Sequence, residues 1–214
     1  MSVGLVIEIE SRPLPRVEAD LAAAGFFADD RPLRGIAGMA DWRLCGLISE
    51  LLEQGRLRGE LGEAILIPSG GRLRAPRVLL LGLGERRDFL LQQPSQVKSF
   101  TADAVRRAGQ LGVRTLALAP PGVAPYDFPR HAPALLEGVL EAVREASAGL
   151  RLRLLTPETE VGRAAGALAA AVPKDHTGVS IELVPPGSLS EPSHPAGPEL
   201  HSYFPGSSSS PHRY

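Results

Sequence analysis

Two glycine-bearing loops hold the residues with the strongest claim to chemistry. In PLRGIAGMADWRLCG, residues 32–46, a short apolar block has just ended and a helix is expected to begin. Gly35 and Gly38 let the backbone approach a ligand closely, and the free N–H groups at a helix start attract anions. Arg34, Gly35, Ile36, Ala37 and Gly38 are therefore the candidate anion cradle. The competing reading is that both glycines only permit a tight entry into the helix. The second loop is LLLGLGER, with Gly82 and Gly84 after an apolar block. It carries part of a dinucleotide fingerprint, but the third glycine is missing. The next helix is expected only near Ser95, so these glycines are read as a strand-end turn.

Other catalytic patterns are absent from the sequence. It contains no G-x-S-x-G elbow, H-E-x-x-H pair, Walker loop or paired cysteines. Cys45 falls on the apolar side of an expected helix and is read as a core thiol, because a nucleophilic cysteine needs an electropositive, accessible setting and a base. His131 stands far from it in sequence, while His194, His201 and His212 are irregularly spaced near the C-terminus, so no metal set is expected. Phe26, Phe27, Phe100 and Trp42 are scattered over separate elements and are read as core rather than as a base-stacking platform. Asp29 and Asp30, followed by Arg31 and Arg34, are read as an exposed loop with local ion pairs. No cofactor is expected.

The elements that must position these residues follow from hydrophobic periodicity. Strand-length apolar blocks occur at 4–9, 21–28, 64–67, 78–83, 115–119, 150–155 and 179–183. Val78 to Leu81 is apolar on both faces, which predicts a strand in the middle of a covered sheet. Helical spacing predicts helices over 41–54, 95–111 with Ser95 as N-cap, 132–147, and from Pro157, capped by Thr156, to about Ala171. Alternation of the two periods predicts an α/β layered fold.

At 214 residues, with 43% hydrophobic and 22% charged residues, the chain has room for one ordinary domain and a remainder. Net charge is −1, which gives no global attraction to nucleic acid or anionic lipid. No apolar run is long enough for a membrane helix, and Met1 to Glu10 lacks the pattern of a secretory signal. A lone cysteine also suits a reducing compartment, so the expected location is the cytoplasm. Residues 1–184 are read as the domain and 185–214 as a flexible, disordered tail, because Pro, Ser and Gly make up 18 of those last 30 residues.

The stretch GEAILIPS (62–69), then RVLLLGLG (77–84), a helix and RTLALAP (114–120) resembles the N-terminal domain of the leucine aminopeptidase, or cytosol aminopeptidase, family. LISELLEQGRLRGELGE (47–63) is similar to the family segment that precedes the strand. The resemblance implies a three-layer α/β/α macro-domain-like mixed sheet. It also implies that catalysis belongs to a separate C-terminal domain holding two metal ions and an NTDAEGR motif. Nothing from Val172 onwards matches that motif, so the family's metal and catalytic residues carry over to no position here. In macro domains that bind ADP-ribose, asparagines end a strand before a glycine-rich loop enters a helix. FFADDRPLR (26–34) has the order but not the asparagines.

The expected function is that of a stand-alone, non-catalytic domain acting in protein binding, oligomerisation or regulation. The alternative is macro-domain-like binding or hydrolysis of ADP-ribose or a related phosphate-containing nucleotide. Expected partners are a protein, a second copy of the chain, or a small phosphate ligand.

Overall fold

The computed structural model describes residues 3–122, 127–145, 149–173 and 179–184. Seven strands form one sheet: β1 (Val3–Glu10), β2 (Leu21–Phe26), β3 (Ala64–Pro68), β4 (Arg77–Gly82), β5 (Thr115–Leu118), β6 (Leu150–Leu155) and β7 (Val179–Val184). Their order is β3-β4-β2-β5-β6-β1-β7. β3 runs antiparallel to β4, and every other pairing is parallel. The mixed sheet expected from the sequence is therefore present. Each predicted apolar block becomes a strand, because such short runs gain most by packing on a sheet covered from one or both sides.

Helices cover both faces. On one side lie α1 (Gly35–Arg43), α2 (Leu47–Glu53) and a 3-10 turn at Leu14–Arg16. Their Leu14, Ala37, Ala40, Ile48 and Leu51 pack with Ala22, Ala24, Val78, Leu80 and Ala117 of the strands. On the other side α4 (Ser95–Gln110), α5 (Phe128–Glu145) and α6 (Val161–Ala171) pack against Leu5, Ile7, Leu79, Leu116, Leu152 and Leu154. The short α3 (Arg86–Leu91) connects β4 to α4 and buries Phe89. α4 and α5 approach so closely that a Cβ at Gly138 would overlap the Lys98 carbonyl. Among the described residues no helix is long and apolar enough to cross a membrane.

Several local expectations change. β4 is apolar on both faces, with Val78 to Leu81 all buried, but it is the second strand from the edge and β5 is the middle one. Burial on both faces follows from helices above and below, and β3 alone completes the edge. The predicted helix over 41–54 is two helices. Gly46, in the left-handed conformation at φ +82°, breaks it, and the Asp41 carboxylate caps α2 by accepting the N–H groups of Ile48 and Ser49 at 2.8 and 3.0 Å. Ser95 opens α4 as its first helical residue rather than capping it. α5 begins four residues earlier than expected, and Ser147 lies outside the described residues. Thr156 does not cap a helix; Pro157 stays extended before a 3-10 turn at Glu158–Glu160 that leads into α6. The tail expected at 185–214 also lies outside the described residues.

Candidate functional site

The connection after β2 runs to the face of α1, whereas the connection after β5 leads to α5 on the opposite face. β2 and β5 are neighbours in the sheet, so the chain parts there and leaves a crevice at their carboxyl ends. A cleft of about 530 Å³ occupies that position. Phe26 and Phe27 at the end of β2, Ala119, Pro120 and Pro121 after β5, and Leu155 at the end of β6 line it. Leu33, Ile36 and Met39 form the α1 side, while Ser11 to Leu14 close the end after β1. The lining is mostly apolar, with Arg12, Arg34, Arg86 and Asp30 as its charged members.

The five residues predicted as an anion cradle divide in this setting. Gly35 begins α1 with φ +58°, and space lies open where its Cβ would be. Arg34, Gly35 and Ile36 line the cleft, whereas Ala37 is buried in the core and lines nothing. No side chain caps α1, so the N–H groups of its first turn are unbonded within the helix. Gly38 serves packing: a Cβ there would overlap the Leu33 carbonyl, and its N–H already bonds the Arg34 carbonyl at 3.1 Å. Thus Gly38 serves the tight entry into α1, whereas open space stands beside Gly35.

Asp30 ties the cleft's cations together. Its Oδ1 lies 3.3 Å from Arg34 Nε and its Oδ2 3.2 Å from Arg86 Nη2. The expected pairing with Arg34 is present, but Asp30 itself is mostly buried, at 12% side-chain exposure, rather than displayed on an open loop. Arg31 does not pair with the acids; its Nη1 donates to the carbonyls of Phe27 and Asp30. The backbone N–H of Arg86 donates to Asp29 Oδ1 at 2.9 Å, and its guanidinium carbon lies 4.9 Å from the Phe27 ring centroid. At the other end of the cleft, Arg12 clasps Glu10 by Nε at 2.9 Å and Nη2 at 2.6 Å. Burial alone would raise the Glu10 pKa, but the hydrogen bonds and charge of Arg12 hold it below its ordinary value.

Other sequence expectations are corrected at this stage. A helix does follow Gly82 and Gly84, since α3 begins at Arg86. Gly82 is nevertheless a packing glycine, because a Cβ would overlap the Glu60 carbonyl, and Gly84 takes φ +71°. Cys45 is exposed and lies between α1 and α2. Trp42 is 74% exposed, with Arg43 over its ring, while Phe26, Phe27 and Phe100 are core residues as expected. α1 turns Ala37 and Ala40 inward, which points position 42 away from the sheet. His131 is buried on α5. Among the described residues no three His, Cys, Asp or Glu side chains are grouped to hold a metal ion. Sequence reasoning missed Arg12, Arg86 and the proline-lined wall. Arg12 and the prolines follow strand ends and could have been found by that position; Arg86 ends the LLLGLGER loop after β4, but nothing local pairs it with Asp30, which it meets from 56 residues away.

Comparison with known proteins agrees with this architecture. The model of the cytosol aminopeptidase family N-terminal domain matches residues 25–153. A probable cytosol aminopeptidase of Alkaliphilus oremlandii is 27% identical over 112 residues, covering 52% of this chain and 22% of the relative. The chain therefore spans less than a quarter of that relative's length. A mutant of tomato leucine aminopeptidase superposes with a TM-score of 0.58 at 21% identity, over 79% of this chain and 36% of that one. The Oceanobacillus iheyensis macrodomain with ADP superposes with a TM-score of 0.56 at 12% identity, over 76% of this chain and 89% of that one. The fold is macrodomain-like, and the chain belongs to the cytosol aminopeptidase family, whose N-terminal domain it carries.

Proposed function

We propose that this chain works by binding rather than by catalysis, as a docking, self-associating or regulatory domain in the cytosol, and that the cleft is its working part. The chemistry of the cleft lining supports this reading most directly. Its described residues include no His, Cys or Lys, and their one carboxylate, Asp30, is paired with two arginines. General acid–base or nucleophilic catalysis needs a group that can release and recover a proton near neutral pH. Arginine stays protonated and cannot serve. The match to the N-terminal domain alone also favours binding, because the resemblance puts peptidase chemistry in another domain. Purified chain with leucine p-nitroanilide and added zinc or manganese is expected to give no turnover above a buffer control. Release of leucine that co-purifies with the chain through successive columns would overturn the reading.

A second reading is specific to small ligands: the cleft takes ADP-ribose or a related phosphate-bearing nucleotide. The uncapped start of α1 beside arginines, on an apolar cleft of ligand size, favours it. The missing asparagines, with Phe26 ending the strand and Phe27 and Ala28 following it, weigh against ribose recognition of the macrodomain kind. ADP-ribose is expected to raise the melting temperature, and Ile36→Glu to abolish the rise by placing a carboxylate in the cleft. An acid in the first helical turn is otherwise favourable to the fold. An unchanged melting temperature at millimolar ADP-ribose would remove this reading.

A further inference from the structure

Arg34 and Arg86 share one counter-ion. Each oxygen of the Asp30 carboxylate takes one of them, and both arginines line the cleft. Two guanidinium groups against one carboxylate leave a positive charge beside the uncapped start of α1, over an apolar floor. Arg86 is oriented by its backbone bond to Asp29 and by stacking on Phe27. Its Nε is buried and has no hydrogen-bond acceptor among the described residues, while the neighbouring Nη2 is held by Asp30. Those two donors form the edge by which a guanidinium grips an oxyanion in bidentate fashion. Asp30 uses half of that edge.

We propose that Arg34 and Arg86 are the receptor for the anionic group of the cleft's ligand, a phosphate or carboxylate carried on an apolar body, and that Asp30 occupies the place of that group and sets the affinity. This rests on the reading that the cleft binds a ligand. The ligand's oxyanion takes the Nε–Nη2 edge of Arg86 and the Nε of Arg34 while its body lies on Phe26, Leu33 and Ile36. Asp30 opposes entry by competing for both cations and by repelling a second negative charge. An acid that served only to fix the loop would have the opposite effect on removal: its loss would loosen the arginines and weaken binding.

The full chain is titrated at low salt with phenyl phosphate, benzoate and benzyl alcohol, which share a ring and differ in the head group. Either anion is expected to bind more tightly than the alcohol, and the stronger of the two identifies the head group. Asp30→Asn tightens the anion by about fivefold, on the scale of one partly exposed ion pair, and leaves benzyl alcohol unchanged. Arg34→Gln and Arg86→Gln each weaken the anion. Should Asp30→Asn fail to fold, the Nε–H signal of Arg86 in the unsubstituted chain, identified by its loss in Arg86→Lys, is expected to move with the anion and not with the alcohol. Equal binding of anion and alcohol, tighter binding of the alcohol, unchanged or weaker anion binding by folded Asp30→Asn, or a static Arg86 signal overturns the receptor but leaves a binding cleft. Absence of binding by all three probes removes both the receptor and small-ligand binding in the cleft.

Discussion

The two faces of the sheet are built to different ends. On one face α4, α5 and α6 lay three helices of 16, 18 and 11 residues over the strands, and α5 alone buries eleven residues. On the other, α1 and α2 have nine and seven residues, and a glycine at φ +82° divides them. On this side α1 begins uncapped at the rim of the cleft. The larger buried helices lie on the α5 face, and under the proposed function the α1 face carries the binding, a division seen where a scaffold carries a site at its sheet switch point.

The largest expected effect comes from cutting into the α5 face. Leu135, fully buried on α5, changed to Ala should cost about 3 kcal/mol by lost burial and cavity formation. Met39→Ala, at the half-buried α1 rim, should cost less than half as much by denaturant unfolding. Equal losses would break the proposed division of labour. Next in size is Glu8→Gln. Glu8 is 1% exposed and pairs with Arg151 and Arg153, the latter also donating to the Glu18 carbonyl. Removing its charge leaves the mostly buried Arg153 without its hydrogen-bonded carboxylate partner, at about 2 kcal/mol in a chemical-denaturation measurement.

A smaller effect depends on pH. Burial, then the nearby Arg130 charge, hold the His131 pKa below its ordinary 6.5. The unfolded chain therefore takes up a proton at His131 before the folded one does. Stability is unaffected by this residue above about pH 6.5 and falls as the pH drops below it. The melting temperature should be lower at about pH 5.5 than at about pH 7.5, and His131→Gln should narrow the difference. An unchanged difference would show that other groups govern the acid limb. Smallest of all is Trp42→Ala, within about 0.5 kcal/mol of the unsubstituted chain in thermal unfolding, because the indole is largely exposed. A large loss there would show that Trp42 is buried in an assembly of the chain.

The sequence reveals the scaffold more readily than the cleft. Apolar blocks such as 78–83 and 150–155 locate strands to within a residue or two, since burial of a pleated surface demands them. The helix break at Gly46 is hidden because Leu44, Ile48 and Leu51 continue one apolar stripe across it. What signals the break is Asp41, which caps a helix six residues further on by a contact invisible to periodicity. α3 escapes notice because six residues are too few to establish a helical period. The cleft is only half legible: Arg34 and Gly35 are marked by their loop and Arg86 and Pro121 stand past strand ends, but only the strand order brings the two sets together.

Hydrogen–deuterium exchange of the full chain with and without saturating ADP-ribose tests most directly whether the cleft face is the binding face. Slowed exchange is predicted at residues 34–37 and 119–122, with α4 and the part of α5 beyond the cleft-lining Phe128 unchanged. Protection confined to the α4–α5 surface, or none anywhere while the ligand is bound, would contradict it.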